Sequence, residues 1–368
     1  MNGFSKLTPV DPLGASEREL LSIIFRHRAL SRSDITGRTS LAQQSVHRLL
    51  DGLHQRGFVR FGSPEIRGPG KPSPIVEIDD GTYATLGLSV TTEAVFLCLL
   101  KPTGTPATIQ RMDAPANAPD LVMDELAKLL ATSPFSERRL LGIGIAIQGY
   151  RTGDPERFTS PPLLAAWRGL PLVSILKERF GLPAFAENNA TASATAEFFR
   201  GGGAGQTCLV YLSFNYGFGG GMFWEGRALV GAHGNAGELS GFFKGDMLQR
   251  RPALGELLKR LAARGVSLKS VSELCARFDP AWLGVKEWIE ETAPQLCQII
   301  AAIKVVLDPG AIFFGGDAPD LLRSMLVDAA QKAFEDDVTP NPVLKVSEIA
   351  GDAAHVGAGF LPLHALIL

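Results

Sequence analysis

Apolar residues Leu20, Leu21, Ile24 and Phe25 recur at helical spacing within residues 17–29, and Ser16 stands ahead of them in the N-cap position. A short polar helix is predicted over Arg32 to Arg38, beside Ser31 and Ser33. After a turn at Thr39 and Ser40, residues 42–56 place Val46, Leu49, Leu50 and Leu53 on one face of a third helix, with a polar face opposite. Gly57 ends that helix. FVRFG then reads as a strand leading into SPEIRGPGKPSPIVEID, a Gly/Pro-rich hairpin tip followed by a second strand.

From residue 84 the pattern changes to short runs of Val, Ile, Leu and Gly alternating with helical segments. ATLGLSV, AVFLCLL, LLGIGIAI and PAFAE read as strands, with helices near 118–131 and 170–180. Beyond 205 the pattern recurs: TCLVYLSF, GGGMFWEG and AIFFGG are strand-like, while GELLKRLAARG and EWIEETAPQLCQIIAAIKVVL are helical. These runs predict two α/β lobes with a cleft between them, behind a smaller N-terminal α+β unit. No short repeat or low-complexity segment interrupts them.

A chain of 368 residues, 45% hydrophobic and 20% charged, has the composition of a soluble globular protein with two or three folded units. No stretch approaches the roughly 20 apolar residues that span a bilayer. MNGFSKLTPVDP lacks the apolar core of a secretory signal, so a cytoplasmic protein without a membrane partner is expected. Cys98, Cys208, Cys275 and Cys297 are far apart and form no CxxC pair. They are expected to be buried structural thiols rather than a disulfide framework or a sequence-local metal site.

Charge is uneven along the chain. Residues 1–75 hold 11 Lys and Arg against 6 Asp and Glu, while the remainder holds 25 against 32. A basic head on an acidic body suits contact with a polyanion at one end. The third helix opens with Gln43, Gln44, Ser45, His47 and Arg48, at the end from which a recognition helix offers side chains to base edges. Gln can pair with adenine and Arg with guanine. Three helices alone could be a small bundle with a solvated outer face. A hairpin tip flanked by Arg67 and Lys71, placed to reach phosphates or a minor groove, instead predicts a winged helix-turn-helix that binds double-stranded DNA.

Several motifs, in order, resemble those of ROK proteins (repressors, open reading frames and sugar kinases). NYGFGGGMFWEGRALVGAHGNAGELSGF resembles the family segment GTGIGGG, a strand pair, then AGEIGH. GIGIAIQGY, LLAAWRGLPL, ENNATASATAEFF, LDPGAIFFGG and VGAGFLPL support it, and the wing GPGKP looks like the GRGRP wing of ROK repressors. The resemblance implies an actin-like two-lobed domain, a cleft that binds a hexose or its derivative, and a homodimer or homotetramer. The domains are expected at 1–80 for the winged helix, 81–190 for the first lobe and 191–368 for the second, with the C-terminal helix free to return to the first lobe.

The chain departs from the family pattern where chemistry would occur. Family kinases carry an Asn-Asp pair whose Asp is the catalytic base; here the pair is Asn188-Asn189. An amide holds a hydroxyl but cannot take its proton. The DxGGTK phosphate loop is replaced by Ser89-Val90-Thr91-Thr92-Glu93-Ala94, whose glutamate would repel ATP. The second phosphate loop keeps Gly217, Gly219, Gly220 and Gly221 but has Asn215 and Tyr216 ahead of them. These glycines could equally serve a tight strand turn. Gly241 stands at the position of the family's zinc-binding His, and the residues that follow hold no cysteine. Pro162-Leu163-Leu164 replaces a family Pro-Asn-Leu ahead of Trp167.

Asn188, Asn189, Glu238, Glu256 and His233 are the candidate sugar contacts, with Asn235 beside them. No catalytic residue, metal or cofactor is expected. The leading expectation is a repressor that senses a sugar or sugar phosphate. Against it stand a DNA-binding protein whose cleft is silent and serves only for oligomerisation and, more remotely, a sugar kinase.

Overall fold

A computed structural model describes residues 10–63, 74–334 and 339–368. Three helices and a small sheet form the N-terminal unit: α1 (Ala15–His27), β1 (Ala29–Ser31), α2 (Arg32–Thr36), α3 (Gln43–Gln55), β2 (Val59–Phe61) and β3 (Ile75–Ile78). Leu20, Leu21, Ile24, Val46, Leu50 and Leu53 are fully buried between the helices, as the periodicity predicts, and Ile35 joins them, while Phe25 and Leu49 are only half-buried. The N-cap of α1 is Gly14, not Ser16. Glu17 reaches back to accept from the Gly14 N–H at 2.7 Å, which starts the helix ahead of the residue that the apolar pattern suggests. Ser31 caps α2 by accepting from the Asp34 N–H at 3.1 Å. The strands pair antiparallel in the order β1-β3-β2, so β2 and β3 are the two arms of a wing. Arg67 and Lys71 lie outside the described residues.

The first large sheet has the order β6-β5-β4-β7-β8. Its strands are β4 (Tyr83–Val90), β5 (Val95–Leu100), β6 (Pro106–Arg111), β7 (Arg139–Ile147) and β8 (Ala184–Asn188), with α4 (Pro119–Leu130) and α5 (Leu172–Phe180) on one face. The chain then enters α6 (Asn189–Arg200) directly from β8. A second sheet, β11-β10-β9-β12-β13, comprises β9 (Cys208–Phe214), β10 (Phe218–Trp224), β11 (Arg227–Ala228), β12 (Ala311–Gly315) and β13 (Val343–Val346). Its outer face is covered by α7 (Leu254–Ala263), α8 (Val271–Arg277), α9 (Leu283–Leu307) and α10 (Asp320–Gln331).

The last helix, α11 (Ala354–Leu366), packs on β4 and β7 of the first sheet and on α6, which in turn lies on β9 and β10 of the second. These two helices therefore form the layer between the lobes. Their approach is close enough to require glycine. A Cβ on Gly357 would stand 1.7 Å from the Ala192 carbonyl oxygen, and one on Gly144 would stand 1.8 Å from that of Ala358. The closing VGAGF run thus lets two helices and a sheet meet backbone to backbone.

Cys98 and Cys208 are buried and Cys297 is half-buried, but Cys275 is exposed, contrary to the expectation of four buried thiols. On α8 the inward positions belong to Val271 and Leu274, which leaves Cys275 off that face, its Sγ 2.9 Å from the Asp317 carbonyl oxygen. No helix among the described residues is long and apolar enough to cross a membrane.

Candidate functional site

The end of β7, the end of β8 and the turn before β10 converge on a cleft of about 350 Å³, within the range of small-molecule sites. Asn188 is both the last residue of β8 and the N-cap of α6, accepting from the Ala190 N–H at 2.7 Å. Its amide nitrogen donates to the Gly149 carbonyl at 2.9 Å and to Glu238 Oε1 at 2.7 Å. Asn188 therefore fixes the glutamate's orientation from the opposite lobe. Burial, followed by the negative charge of Glu187, pushes the Glu238 carboxyl up to about 7. Glu187 is itself paired with Arg151 at 3.0 Å.

Asn189 is 3% exposed; its amide nitrogen donates to the Val90 carbonyl at the end of β4, at 3.3 Å, and its Oδ1 has no partner. Ser160, 6% exposed on the same cleft wall, also has an unpartnered hydroxyl. An unsatisfied buried polar atom costs about 1–3 kcal/mol, so both atoms are poised for a polar ligand or water. At the mouth, Tyr150 and Ser240 hydroxyls meet across the lobes at 2.7 Å. Arg151 N–H donates to Asn235 Oδ1 at 2.7 Å, and Asn235 Nδ2 returns a bond to the Arg151 carbonyl at 2.9 Å. Asn235 is thus spent on holding the lobes together.

Of the candidate sugar contacts, the structure brings Asn188, Asn189 and Glu238 together on the cleft wall. His233 is exposed in the loop after β11 and does not line the cleft. Glu256 is 8% exposed but lies in the first turn of α7, where Arg251 and Lys259 each approach its carboxylate to 3.1 Å. Arg251, Tyr150, Ser160 and Gln148 line the cleft without being singled out by the sequence pattern. Only Gln148 and Tyr150 fall within a family-like motif, GIGIAIQGY; nothing in the local sequence marks Arg251.

The glycines after Tyr216 divide into two pairs. A Cβ on Gly221 would stand 2.5 Å from Ala194 Cβ, and one on Gly220 would stand 2.8 Å from Leu239 Cδ1, so these two are required by packing on α6 and on the Leu239 turn. They lie inside β10, not in a turn. Gly217 and Gly219 instead line the cleft, and a Cβ on Gly217 would meet nothing within 4 Å. At the place of the first phosphate loop, Glu93 sits in the connection between β4 and β5 and crosses to the other lobe. Its carboxylate accepts from the backbone N–H groups of Val271 and Ser272 and from the Ser272 hydroxyl, the last two at 3.0 and 2.8 Å.

The residues present do not fit the zinc that the family resemblance implies. Gly241 holds the histidine position, residues 242–253 contain neither His nor Cys, and no group of three or more ligating side chains occurs among the described residues. Phe243 anchors this segment instead, 3% exposed and edge-to-face with Phe218 at 6.2 Å.

In the winged helix, Gln43, Gln44 and Arg48 are exposed on the first two turns of α3, while Ser45 and His47 are half-buried in the same stretch. All five occupy the end of the helix opposite the Gly57 turn.

A winged helix joined to two α/β lobes that enclose a pair of crossing helices defines a regulator-like chain built on an actin-like, sugar-kinase-like body. Residues 85–244 match the model of the ROK family. An uncharacterised protein, y4fQ, of Sinorhizobium fredii is 26% identical over 363 residues, covering 96% of this chain and 92% of its own. The xylose repressor of Caldicellulosiruptor bescii is 26% identical over 226 residues, 60% of this chain and 56% of the repressor. Among solved structures, a ROK family transcriptional regulator, a homologue of the E. coli MLC protein, superposes with a TM-score of 0.74 at 20% identity, covering 95% of this chain and 96% of its own. A ROK hexokinase from Thermus thermophilus gives 0.59 at 20% identity over 75% of this chain and 96% of its own.

Proposed function

We propose that this chain is a transcriptional regulator, a repressor, that binds double-stranded operator DNA through its winged helix and a sugar or sugar derivative in the cleft between its lobes. One observation carries the reading: a winged helix with an exposed polar recognition face is fused to a body whose cleft sets a half-buried carboxyl and two unpartnered buried polar atoms around a monosaccharide-sized space. The match to a solved transcriptional regulator over nearly the whole chain, and to a hexokinase over about three quarters of it, supports the same division of labour. The similarity to xylose repressors supports a carbohydrate effector. We take α3, through Gln43, Gln44, Ser45, His47 and Arg48, with Arg67 and Lys71 of the wing, as the DNA contact. Asn188, Asn189 and Glu238 are the sugar contacts in this reading. Glu256 is kept from that role by its ion pairs and His233 by its exposure.

On this reading the protein is not a kinase. Asn189 supplies no base for a sugar hydroxyl, and in place of a glycine-rich phosphate loop the β4–β5 connection carries Glu93, whose carboxylate is bound to Val271 and Ser272. The chain acts in the cytoplasm as a homodimer or homotetramer, so that two winged helices can meet operator half-sites. A sugar that binds the lobes in the released arrangement better than in the DNA-bound one would then lower operator affinity.

Binding of the full-length protein to its own promoter DNA, at fixed salt and with a panel of sugars, tests this. Specific binding weakened by one sugar is the expected result. Specific binding that no sugar alters would leave a DNA-binding protein with a silent cleft, and loss of specificity altogether would remove the winged-helix reading.

A further inference from the structure

We propose that the cleft ligand is a monosaccharide derivative bearing an anionic group, phosphate or carboxylate, and that Arg251 is the residue that selects it. This rests on the sugar-binding reading of the cleft. Arg251 lies in the segment ahead of α7 and lines the cleft together with Asn189, Ser160 and Gly217. Its Nη2 donates to Glu256 Oε1 at 3.1 Å, but that carboxylate also accepts from Lys259 Nζ at 3.1 and 3.2 Å. Two cations therefore share one anion, so Glu256 offsets the Arg251 charge only in part. Arg251 Nε is buried without an acceptor.

Nothing inside the cleft offsets that charge fully. Glu187 is committed to Arg151, and Glu238 is half-buried, held by Asn188 and shifted to about 7, so it carries only part of a negative charge near neutrality. At position 189, where a carboxylate would repel an incoming anion, an amide stands with its Oδ1 unpartnered. Gly217 leaves room on the same wall for a bulky tetrahedral or planar group. The cleft thus offers hydroxyl-binding groups in Asn189, Ser160 and Glu238, and a guanidinium short of an anion. A neutral sugar would satisfy the first set and leave Arg251 Nε without an acceptor. An anionic derivative would satisfy both through charge-assisted bonds, the stronger kind.

The test is calorimetric titration of the full-length protein with glucose, galactose and xylose beside glucose 6-phosphate, galactose 6-phosphate, glucuronate and galacturonate, with ATP and inorganic phosphate as further probes. At least one anionic sugar is expected to bind tenfold or more tightly than its neutral parent. Arg251→Gln is expected to remove that advantage, and Arg251→Lys to retain part of it. The phosphate and uronate arms identify which anion is read. Equal binding of neutral and anionic forms, or a preference that survives Arg251→Gln, overturns the ligand class and leaves the sugar-binding reading standing. Failure of every sugar and derivative to bind, or binding of ATP or inorganic phosphate in their place, overturns both. Thermal melting of the two variants checks that each is folded.

Discussion

Phe25 of α1 meets Phe199 of α6 edge to face, with ring centroids 5.8 Å apart and planes at 77°. Phe199 in turn stacks on Phe360 of α11 at 4.8 Å. The helix that ends at this contact begins at Asn189 in the cleft, so a single element of 12 residues, about 18 Å long, has one end at the cleft and the other against the winged helix. A shift of α6 on ligand binding has no compliant layer to absorb it, because α11 and β10 lie against it at glycine-limited distance.

Phe199→Ala is therefore expected to uncouple the two ends. Operator binding should persist, but its response to the cleft ligand should fall severalfold, and the fold should be weakened by about 1–3 kcal/mol through removal of the ring and its aromatic neighbours' packing. Phe25→Ala should reproduce the uncoupling from the other side of the pair. Titrating operator DNA with each variant, with and without ligand, measures it. A full ligand response in both variants would place the coupling elsewhere in the molecule.

Glu93 makes a second prediction. Its carboxylate ties the β4–β5 connection of the first lobe to the start of α8 in the second, in the manner of a capping residue supplied from elsewhere in the chain. Glu93→Ala should destabilise the fold by about 0.5–2 kcal/mol and speed amide exchange at Val271 and Ser272, whose donors lose their acceptor. Glu93→Gln should fall between the two, since an amide oxygen still accepts without the charge. Unaltered exchange at both amides in Glu93→Ala would show that this bridge does not hold the lobes.

The three helices and the wing arms of the N-terminal unit were legible because their signals are local: Val46, Leu50 and Leu53 repeat at helical spacing, and the Gly/Pro run separates two strands. The main strands of both lobes were legible for the same reason. Edge and linking elements were not. β6 alternates half-buried and exposed residues on the sheet edge, and α8 has only Val271 and Leu274 turned inward, too few for a periodic signal. Within the site, Asn188 and Glu238 were legible as motif residues, but their mutual hydrogen bond joins positions 50 apart. Arg251 was invisible because its place in the cleft depends on how an irregular segment is anchored by Phe243, and no local pattern encodes that.

Glu238 makes its own contribution to the pH dependence of stability. Its carboxyl is raised from 4.5 to about 7 in the fold, so the folded state holds a proton that the unfolded chain has released between those values. The contribution to stability is complete below about 4.5, declines as pH rises and is lost above about 7. Glu238→Gln abolishes this dependence. Relative to wild type, the variant should gain stability on going from about pH 5 to about pH 8, by about 1–3 kcal/mol as an upper range. Melting curves of both proteins at the two pH values decide it. A difference that does not change with pH would mean that Glu238 titrates normally.

In the proposed DNA interface α3 reads bases and the wing holds phosphates, and the two kinds of residue are expected to fail differently. Gln43 and Arg48 are exposed at the start of α3, where side chains can reach base edges; Arg67 and Lys71 flank the wing tip in sequence. Replacing Gln43 or Arg48 with Ala should cost about 1–3 kcal/mol on the operator and far less on unrelated DNA, because only a bidentate base pairing distinguishes sequences. Replacing Arg67 or Lys71 with Ala should weaken operator and unrelated DNA alike, and reduce the slope of log affinity against log salt by about 1 for each phosphate that is no longer neutralised. Binding measured at several salt concentrations on both DNAs separates the classes. Salt slopes unchanged in both wing variants would take the wing out of the interface, and equal weakening on both DNAs for the α3 variants would make that helix a backbone binder rather than a reader of sequence.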